Sequence, residues 1–340
     1  SDHLLELVNK TNIPVTTTLM ALGAFPGTHP LFAGMPGMHG SKLANICFQE
    51  CDLVIAVGAR FDDRVTGKLS AFAPKAKIAH VDIDPSSIKK TVKVDYPVVG
   101  DAHWVLRELN KVVKPRQPNE WNRMFAEMKE THWFRYRPST EVMRPQYVIE
   151  KIYEMTKGDA IISTEVGQIQ MWAAQFYKFD KPRRWLTSGG LGTMGYGFPA
   201  AIGAQFAAPD AMVIDIAGDG SIQMNIQELT TVVENRLPVK VVILNNGYLG
   251  MVRQWQEFFY DRHYSSSVIG GLPDFAKVAD AFGAKGLTAR THDDVVPVLE
   301  EGLAHPGPVF MDFHINPEEN VFPMVPAGKA LDEMQEEEWA

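Results

Sequence analysis

The sequence has 340 residues, a length at which two domains are expected. Its 45% hydrophobic and 22% charged residues are typical of a globular protein, and a net charge of −8 with no basic segment argues against a nucleic-acid or membrane surface. The sequence has no apolar stretch long enough to span a bilayer and no signal-peptide pattern, so we expect a cytoplasmic protein, or a plastid or mitochondrial one in a eukaryote. Its two cysteines, Cys47 and Cys51, are expected to be reduced and to pack in the interior.

The first part of the chain alternates helical and strand patterns. An amphipathic helix is predicted over residues 1–10, a short strand over 13–19, and buried strands over 52–58 and 77–84. Residues 23–40 are rich in Gly, Pro, Met and His, as loops are. Because the chain opens on a helix with no preceding strand, we expect residues 1–110 to be a domain that is truncated at its N-terminus.

Polar side chains follow both of these buried strands. Asp82 ends the second strand, where a carboxylate either binds ribose hydroxyls or caps the next helix, and these alternatives stay open. The run Phe61-Asp62-Asp63-Arg64 follows the first strand and indicates either a salt-bridged loop or a ligand site.

The pattern weakens over residues 111–143, where Pro115, Pro118 and several charges interrupt it. This composition predicts an interdomain linker with one helix over residues 121–129. A second domain is then predicted over 144–340, opening with Pro145 at a first helical position. Strand patterns over 160–164, 212–216, 239–244 and 309–315 alternate with helices. We therefore predict an α/β protein with two doubly wound parallel-sheet domains.

Two strand ends in this second domain carry the most informative residues. One strand ends in Gly218-Asp219-Gly220, and the next ends in Asn245-Asn246. Between them, apolar residues at Ile222, Ile226, Leu229 and Val233 predict one helix. The glycines allow a close backbone approach, and the Asp219 carboxylate and Asn246 amide oxygens suit Mg²⁺ bound with phosphate. An ordinary Asp-Gly turn explains the first motif alone, whereas the pair together indicates a metal-diphosphate site.

A glycine-rich loop over residues 189–197 surrounds Met194. Such a loop can press its backbone against a ligand while Met194 projects as an apolar wedge, although a tight loop with Met194 as a core residue is the alternative. Gln168 follows another strand end, and its amide could donate to a phosphate.

Taken together, these motifs resemble those of the acetohydroxyacid synthase (acetolactate synthase) catalytic subunits, which are thiamine-diphosphate enzymes. The resemblance covers nearly the whole chain, and its most specific parts are Gly37-Met38-His39-Gly40, Arg60-Phe61-Asp62-Asp63-Arg64, Gln170-Met171-Trp172, Gly192-Thr193-Met194-Gly195 and Gly250-Met251-Val252-Arg253-Gln254-Trp255. The second of these motifs separates FAD-containing anabolic enzymes from catabolic acetolactate synthases and pyruvate decarboxylases.

The resemblance implies three cofactors: thiamine diphosphate, Mg²⁺ and a structural FAD. The implied magnesium ligands are Asp219, Asn246 and the backbone oxygen of Tyr248. The implied thiamine-diphosphate residues are Gln168, Gly192, Thr193, Met194, Asp219, Gly220, Ser221, Asn246, Gly247, Tyr248, Leu249, Gly250 and Met251. The implied FAD residues are Thr18, Leu19, Gly37, Met38, His39, Gly58, Ala59, Arg60, Phe61, Asp62, Asp82, Ile83, Asp101 and Ala102.

The implied reaction belongs to branched-chain amino-acid biosynthesis. Pyruvate is decarboxylated on thiamine diphosphate, and the two-carbon unit is joined to pyruvate or 2-ketobutyrate. Met194 matches the family residue that holds the cofactor in its bent conformation. Arg64 matches the residue that recognises the carboxylate of the acceptor. Trp255 matches the residue that contacts the extra methyl group of 2-ketobutyrate. The implied partners are a second catalytic subunit, in a homodimer or tetramer, and a small regulatory subunit.

Two departures from the family pattern accompany the resemblance. Ile169 stands where members commonly carry a histidine beside the diphosphate. The pyrimidine-binding domain, with the glutamate that protonates the cofactor, has no match in these residues, so we expect this chain alone to form little acetolactate. The alternatives are another thiamine-diphosphate enzyme, such as glyoxylate carboligase or pyruvate oxidase, and an inactive cofactor-binding module.

Overall fold

The computed structural model describes residues 1–337, which divide into two units. The first unit comprises Ser1–Arg135 together with the segment from Phe322 onwards, and the second is Tyr136–Val321. This division differs from the predicted boundaries at 110, 143 and 340, because the predicted linker is mostly part of the first unit and the chain returns to that unit near its C-terminus. Among residues 1–337, no helix has both the length and the apolar character needed to cross a membrane.

The first unit contains a small parallel sheet with five helices. The strands are β1 (Leu53–Val57), β2 (Lys77–Asp82) and β3 (Tyr96–Val99), in the order β1-β2-β3. The helices are α1 (Asp2–Thr11), α2 (Lys42–Glu50), α3 (Asp63–Thr66), α4 (Ala102–Val112) and α5 (Glu120–His132). The register pairs Val54 with Ile78 and Val81 with Val98.

Helix α5 lies in the predicted linker and is a packed element of the first unit. Its Phe125 is buried in one apolar cluster with Leu43, Ala44 and Cys47 of α2. The Lys129 ammonium donates to the carbonyl oxygens of Pro30 and Phe32, both at 2.8 Å. The prediction of one helix here is confirmed, but residues 120–132 do not form a free linker.

The predicted strand over residues 13–19 is not a strand. This segment makes one isolated bridge, Val15 with Phe32, and then enters a 3₁₀ turn at Leu19–Ala21. Two hydrogen bonds at 2.8 Å form the bridge: the Val15 N–H donates to Leu31, and the Ala33 N–H donates to Val15. The β-branched Val and Thr residues gave a strand pattern, but Pro14 has no N–H to extend a ladder.

The second unit is built on a six-stranded parallel sheet. Its strands are β4 (Ile161–Thr164), β5 (Trp185–Leu186), β6 (Val213–Gly218), β7 (Lys240–Asn245), β8 (Lys285–Ala289) and β9 (Val309–His314), in the order β5-β4-β6-β7-β9-β8. Its helices are α6 (Pro145–Thr156), α7 (Gln168–Phe176), α8 (Gly197–Ala207), α9 (Asp219–Ile222), α10 (Leu229–Glu234), α11 (Gly250–Phe259), α12 (Phe275–Phe282) and α13 (Val295–Ala304). Parallel sheets with helices confirm the predicted α/β class.

The sheet of the second unit has a continuous apolar interior. All six residues of β7 are buried, as expected for a central strand that is covered on both faces. Val213 and Val241 pack with Phe198 of α8 and Phe275 of α12 in one cluster. The four strands predicted in this unit are observed with shifts of one or two residues at their ends.

Three short strands were not predicted, and all three lie at sheet edges. β3 contains Pro97, which cannot donate to a neighbour and is tolerated where one side of the strand is unpaired. β5 has only two residues, and β8 contains Gly286 and Lys285, which weaken a strand pattern.

The predicted helix after Gly220 is interrupted. The structure has the short α9, a 3₁₀ turn at Ile226–Glu228 and then α10. Asn225 leaves the helical conformation, with φ −137° and ψ 28°, and its side-chain amide donates to the Gly195 carbonyl oxygen at 2.6 Å. The apolar spacing continues through the break, which is why the sequence indicated a single helix.

Gly286 provides a test of packing in this unit. A Cβ at this position would lie 2.1 Å from the backbone oxygen of Ala276 in α12. We expect Gly286→Ala to destabilise the protein by about 1–3 kcal/mol, because backbone atoms must move to accept the methyl group. Gly203 in α8 is the matched control, since a Cβ there meets nothing within 4 Å. Urea unfolding should show Gly203→Ala as neutral or slightly stabilising, and equal midpoints for the two variants would refute the packing argument.

Candidate functional site

The predicted cofactor residues of the second unit gather at one edge of its sheet. Gln168 follows β4, Asp219 follows β6 and Asn246 follows β7. These three strands are neighbours and parallel, so their carboxyl ends open onto the same crevice. The glycine-rich loop follows β5, which lies next to β4.

Asp219 is a buried carboxylate that contacts the loop after β7. Its Oδ2 accepts a hydrogen bond of 2.9 Å from the Gly247 N–H, and the residue is only 1% exposed. Burial raises the pKa of Asp219 to about 6, although hydrogen bonds from the N–H groups of Asp219, Gly220 and Gly247 act in the opposite direction. A cation beside this carboxylate would favour its charged form.

Asn246 and Gln168 form the second part of the crevice. The Asn246 Nδ2 donates to the Gln168 Oε1 at 3.3 Å, which leaves the Asn246 amide oxygen to accept the Tyr248 N–H at 3.0 Å. Gln168 Nε2 donates to Gln254 Oε1 and to the Glu319 carbonyl oxygen, both at 2.9 Å. Both amide hydrogens of Gln168 are therefore engaged within the protein, and its Oε1 holds the Asn246 amide group. Donation from Gln168 to a phosphate stays a prediction.

Met194 lies next to the Asp219–Gly220 turn. A Cβ built on Gly220 would lie 3.9 Å from the Met194 Cε and 3.0 Å from a Leu249 methyl carbon. The same Cβ would lie 2.8 Å from the Ile269 Cδ1, so only a glycine fits here without displacing a neighbour. An apolar wall of Met194, Leu249 and Ile269 thus faces the polar turn. The Met194 side chain is partly buried, and its contact with a ligand stays a prediction.

The predicted site residue Ser221 and the departing residue Ile169 are both buried at the same turn. The Ser221 hydroxyl accepts from the Gly218 N–H at 3.0 Å and donates to the Gly218 carbonyl at 3.1 Å, so it stabilises the turn itself. Ile169 lies 3.8 Å from where a Gly218 Cβ would be. An apolar side chain therefore stands next to the turn at the position of the family's histidine.

The donor set of this crevice fits a magnesium diphosphate. In residues 1–337 no cluster of three or more His, Cys, Asp or Glu side chains could hold a metal ion unaided. A cation at Asp219 would need amide, carbonyl, water or phosphate oxygens to complete its shell, and this is the manner in which proteins usually hold Mg²⁺. The buried Asp219 carboxylate has no cationic partner among residues 1–337.

The two predicted acceptor residues lie in different units, and each has its own surroundings. Arg64 is exposed, and its guanidinium pairs with Asp63 at 2.7 Å. An exposed pair of this kind contributes little stability and can rearrange for another carboxylate. Trp255 lies on α11, with its ring 5.2 Å from that of Phe259 in an edge-to-face arrangement.

In the first unit, most predicted FAD residues follow the three strands. Gly58–Asp62 follow β1, Asp82 and Ile83 end or follow β2, and Asp101 follows β3 and caps α4. Ala102 is the first residue of α4, and the others lie in a turn or a loop: Thr18 precedes and Leu19 begins the 3₁₀ turn, and Met38 donates its N–H to the Arg64 carbonyl at 2.8 Å. Burial lowers the pKa of His39 to about 4, so its imidazole is neutral near pH 7.

Several residues at the site were not identified from the sequence. Ile269 comes from a loop after α11 whose composition gives no signal, and Gln254 is buried in an otherwise amphipathic helix. Glu165 could have been identified from the sequence, because it is an acidic residue directly after a buried strand, as Asp219 is.

Comparison with known proteins gives two family matches in chain order. Residues 1–109 match the family "Thiamine pyrophosphate enzyme, central domain", and residues 165–313 match "Thiamine pyrophosphate enzyme, C-terminal TPP binding domain". The second match contains the whole crevice described above.

Curated relatives extend the similarity to almost the full sequence. The chain is 45% identical over 342 residues to the acetolactate synthase isozyme 3 large subunit of Escherichia coli, 46% over 347 residues to an acetolactate synthase of Mycobacterium bovis, and 44% over 344 residues to acetolactate synthase 1, chloroplastic, of Nicotiana tabacum. The alignments cover 98%, 98% and 97% of this chain, but only 60%, 56% and 52% of those relatives. The chain thus belongs to the thiamine pyrophosphate enzyme family and is homologous to part of the acetolactate synthase large subunit.

Proposed function

We propose that this chain is the part of an acetolactate synthase large subunit that binds the diphosphate of thiamine diphosphate through Mg²⁺. The observation that carries the proposal is the contact between the buried Asp219 carboxylate and the Gly247 N–H, next to Asn246. That contact brings a carboxylate oxygen and an amide oxygen to one edge of the sheet. The substrates proposed by homology are pyruvate and 2-ketobutyrate.

The residues of the crevice would have separate tasks. Asp219, Asn246 and the Tyr248 backbone oxygen would hold Mg²⁺, and Gln168 would keep the Asn246 amide oriented through their 3.3 Å hydrogen bond. Met194 and Leu249 would contact the organic part of the cofactor and exclude water from it. Gly192, Thr193, Gly220, Ser221, Gly247, Gly250 and Met251 would form the surrounding backbone. Thiamine diphosphate supplies the carbanion chemistry for decarboxylation and ligation of 2-keto acids, and the protein supplies binding and orientation.

The first unit is proposed to bind FAD. A Cβ at Gly58, where φ is +66°, would meet nothing within 4 Å, so open space lies beside the end of β1. Ile83 follows the Asp82 carboxylate and is 71% exposed. An exposed apolar side chain next to a carboxylate suits a nucleotide, since the carboxylate can bind ribose hydroxyls while the apolar group contacts a ring. Gly37, Met38 and His39 would line the same FAD site, in a loop held by the Met38 N–H bond to the Arg64 carbonyl oxygen.

Arg64 and Trp255 are proposed to select the second substrate. The guanidinium of Arg64 can bind a carboxylate with two parallel hydrogen bonds. The ring of Trp255 offers an apolar surface to an ethyl group. The relatives named as large subunits support a small regulatory subunit as a further partner, and assembly as a homodimer or tetramer is proposed by the same homology.

The function is tested by product analysis in the full-length enzyme that contains this chain. With pyruvate, thiamine diphosphate, Mg²⁺ and FAD present, we expect 2-acetolactate. Acetyl phosphate would instead identify a pyruvate oxidase, and tartronate semialdehyde from glyoxylate would identify a glyoxylate carboligase. No product from a correctly folded, cofactor-loaded enzyme would leave only a cofactor-binding role.

Trp255→Leu is expected to lower the preference for 2-ketobutyrate over pyruvate. One methylene group against an apolar wall contributes about 1–3 kcal/mol, so the preference should fall roughly 5- to 150-fold while acetolactate still forms. The measurement is a competition assay with both acceptors. Phe259→Leu is the control, because it removes the ring that packs on Trp255 but not the wall itself. An unchanged product ratio for Trp255→Leu would count against the assignment.

A further inference from the structure

Glu165 is a buried carboxylate that the proposed function does not use. It lies at the end of β4 with no exposed surface, and no Lys, Arg or His in residues 1–337 pairs with it. Its partners are backbone N–H groups at the start of α8: Gly195 donates to Oε2 at 2.6 Å, and Phe198 donates to Oε1 at 3.0 Å. α8 has eleven residues, and a carboxylate at its N-terminus also interacts favourably with the helix dipole.

The neighbouring Asp215 is a second buried carboxyl group, and it has fewer hydrogen-bond donors than Glu165. Asp215 is fully buried in β6, and its Oδ1 accepts the Ser163 hydroxyl at 3.0 Å. Burial raises the pKa of both carboxyls, and the charge of Glu165 raises that of Asp215 further, well above its ordinary value. In Glu165, hydrogen bonds from backbone N–H groups such as those of Phe198 and Gly195 lower the pKa and so oppose burial. These N–H groups therefore favour the charged form of Glu165 over that of Asp215.

The start of α8 fits against these strand ends without spare room. A Cβ on Gly197 would lie 2.4 Å from both the Asp215 Oδ1 and the Glu165 backbone nitrogen. On the opposite side of the loop, the Asn225 amide donates to the Gly195 carbonyl at 2.6 Å. Gly195 is thus held by Glu165 through its N–H and by Asn225 through its carbonyl. The residue immediately before it is Met194.

We propose that Glu165 is a positioning residue that fixes Met194 against the Asp219–Gly220 turn. The carboxylate holds the N–H of Gly195, directly after Met194, and that of Phe198 in α8. Its loss would therefore free the loop while the Asp219–Gly220 turn stayed intact. This inference rests on the proposed function, because it assumes that Met194 contacts the organic part of thiamine diphosphate and that Asp219 serves the diphosphate. It predicts that Glu165 increases the binding affinity for the thiamine portion of the ligand and leaves the affinity for the diphosphate portion unchanged.

The test compares two ligands in the full-length enzyme. Calorimetry with Mg²⁺ present would give the affinity for thiamine diphosphate and for inorganic pyrophosphate, which lacks the organic part. In Glu165→Gln the neutral amide binds the N–H groups less well and turns an NH₂ group toward them. We expect the affinity for thiamine diphosphate to fall about tenfold or more, with the affinity for pyrophosphate unchanged. A purely structural role would lower both affinities together.

Three further variants make the result decisive. Glu165→Asp keeps the charge and should recover part of the lost affinity. Ser163→Ala removes the hydrogen bond to Asp215 without touching the loop and should leave the ratio of the two affinities unchanged. Asn225→Ala removes the second contact to Gly195 and should cause the same selective loss of thiamine diphosphate affinity. If Glu165→Gln does not fold, Asn225→Ala replaces it as the test.

The outcomes separate the two claims. A parent enzyme that binds neither ligand would refute the proposed function itself. If the parent binds both ligands, the ratio of the thiamine diphosphate affinity to the pyrophosphate affinity decides the positioning role. An unchanged ratio in Glu165→Gln would overturn that role, and Asn225→Ala takes its place if Glu165→Gln does not fold. A selective loss of thiamine diphosphate affinity would support it.

Discussion

Asp219→Ala in the full-length enzyme is expected to abolish Mg²⁺-dependent binding of thiamine diphosphate. The substitution removes the one carboxylate that contacts the loop after β7. Losing a hydrogen bond of a charged group costs about 1.5–3 kcal/mol, which corresponds to a loss of affinity of roughly 10- to 150-fold for each such contact. Calorimetric titration in Mg²⁺ and in a chelator would measure the effect. The Asp219→Ala variant should bind thiamine diphosphate equally weakly in Mg²⁺ and in the chelator.

Asp312→Asn is the matched control for this variant. Asp312 is also a buried acidic residue of the same sheet, and burial raises its pKa, but its Oδ1 accepts a hydrogen bond from Asn245 at 3.1 Å. It acts on Asp219 only through its charge, which is the last of the causes that shift the pKa of Asp219. Its substitution should leave Mg²⁺-dependent affinity close to that of the parent. Unchanged affinity in Asp219→Ala would remove the basis of the metal assignment.

The affinity should also depend on pH through Asp219. Burial raises the pKa of this carboxyl to about 6 in the metal-free chain, so a proton competes with the cation below that pH. We expect a constant affinity above about pH 7 and a fall of about tenfold per pH unit below pH 6. An affinity that stays constant down to pH 5 would indicate that another group holds the metal.

Gly250→Ala should be the most damaging single-methyl change at the site. A Cβ at Gly250 would lie 2.1 Å from the Gln168 Oε1 and 2.7 Å from the Asn246 Nδ2. Gln168 cannot move aside, because its amide group already donates to Gln254 and Glu319. We expect a destabilisation of about 1–3 kcal/mol, together with loss of Mg²⁺-dependent cofactor binding as Asn246 is displaced.

The control for Gly250→Ala is Gly270→Ala. Gly270 lies in the loop beside Ile269, and a Cβ there would meet nothing within 4 Å. Thermal unfolding and calorimetry should find this second variant similar to the parent. If Gly250→Ala retained both its stability and its cofactor affinity, the Gln168–Asn246 contact would not be important for the site.

The sequence predicted the elements of the site that depend on local pattern. Buried strands ending in Asp219 and Asn246 could be placed side by side because a parallel sheet brings its carboxyl ends to one edge. The contact of the Asp219 carboxylate with the Gly247 N–H follows from that topology.

What the sequence did not predict depends on contacts between distant residues. Asn225 interrupts its helix to reach Gly195, thirty residues earlier, and local apolar spacing carries no information about that bond. The Gln168 amide group donates to Gln254 and Glu319, which are 86 and 151 residues away, so no local pattern predicted these two bonds. Glu165 was given no role, because the backbone N–H groups that bind it come from α8 and have no side-chain signature. Edge strands such as β3 and β8 were missed because they pair on one side only.

The most direct test of the account is the position of the metal in crystals of the full-length enzyme grown with thiamine diphosphate and Mn²⁺. Mn²⁺ prefers the same oxygen ligands as Mg²⁺ and can be located by anomalous scattering. The account predicts one peak bonded to an Asp219 carboxylate oxygen, the Asn246 amide oxygen and the Tyr248 backbone oxygen, close to the distances of about 2.0–2.1 Å that Mg²⁺ adopts. A metal bound at Asp312 or elsewhere, with no peak at Asp219, would contradict it.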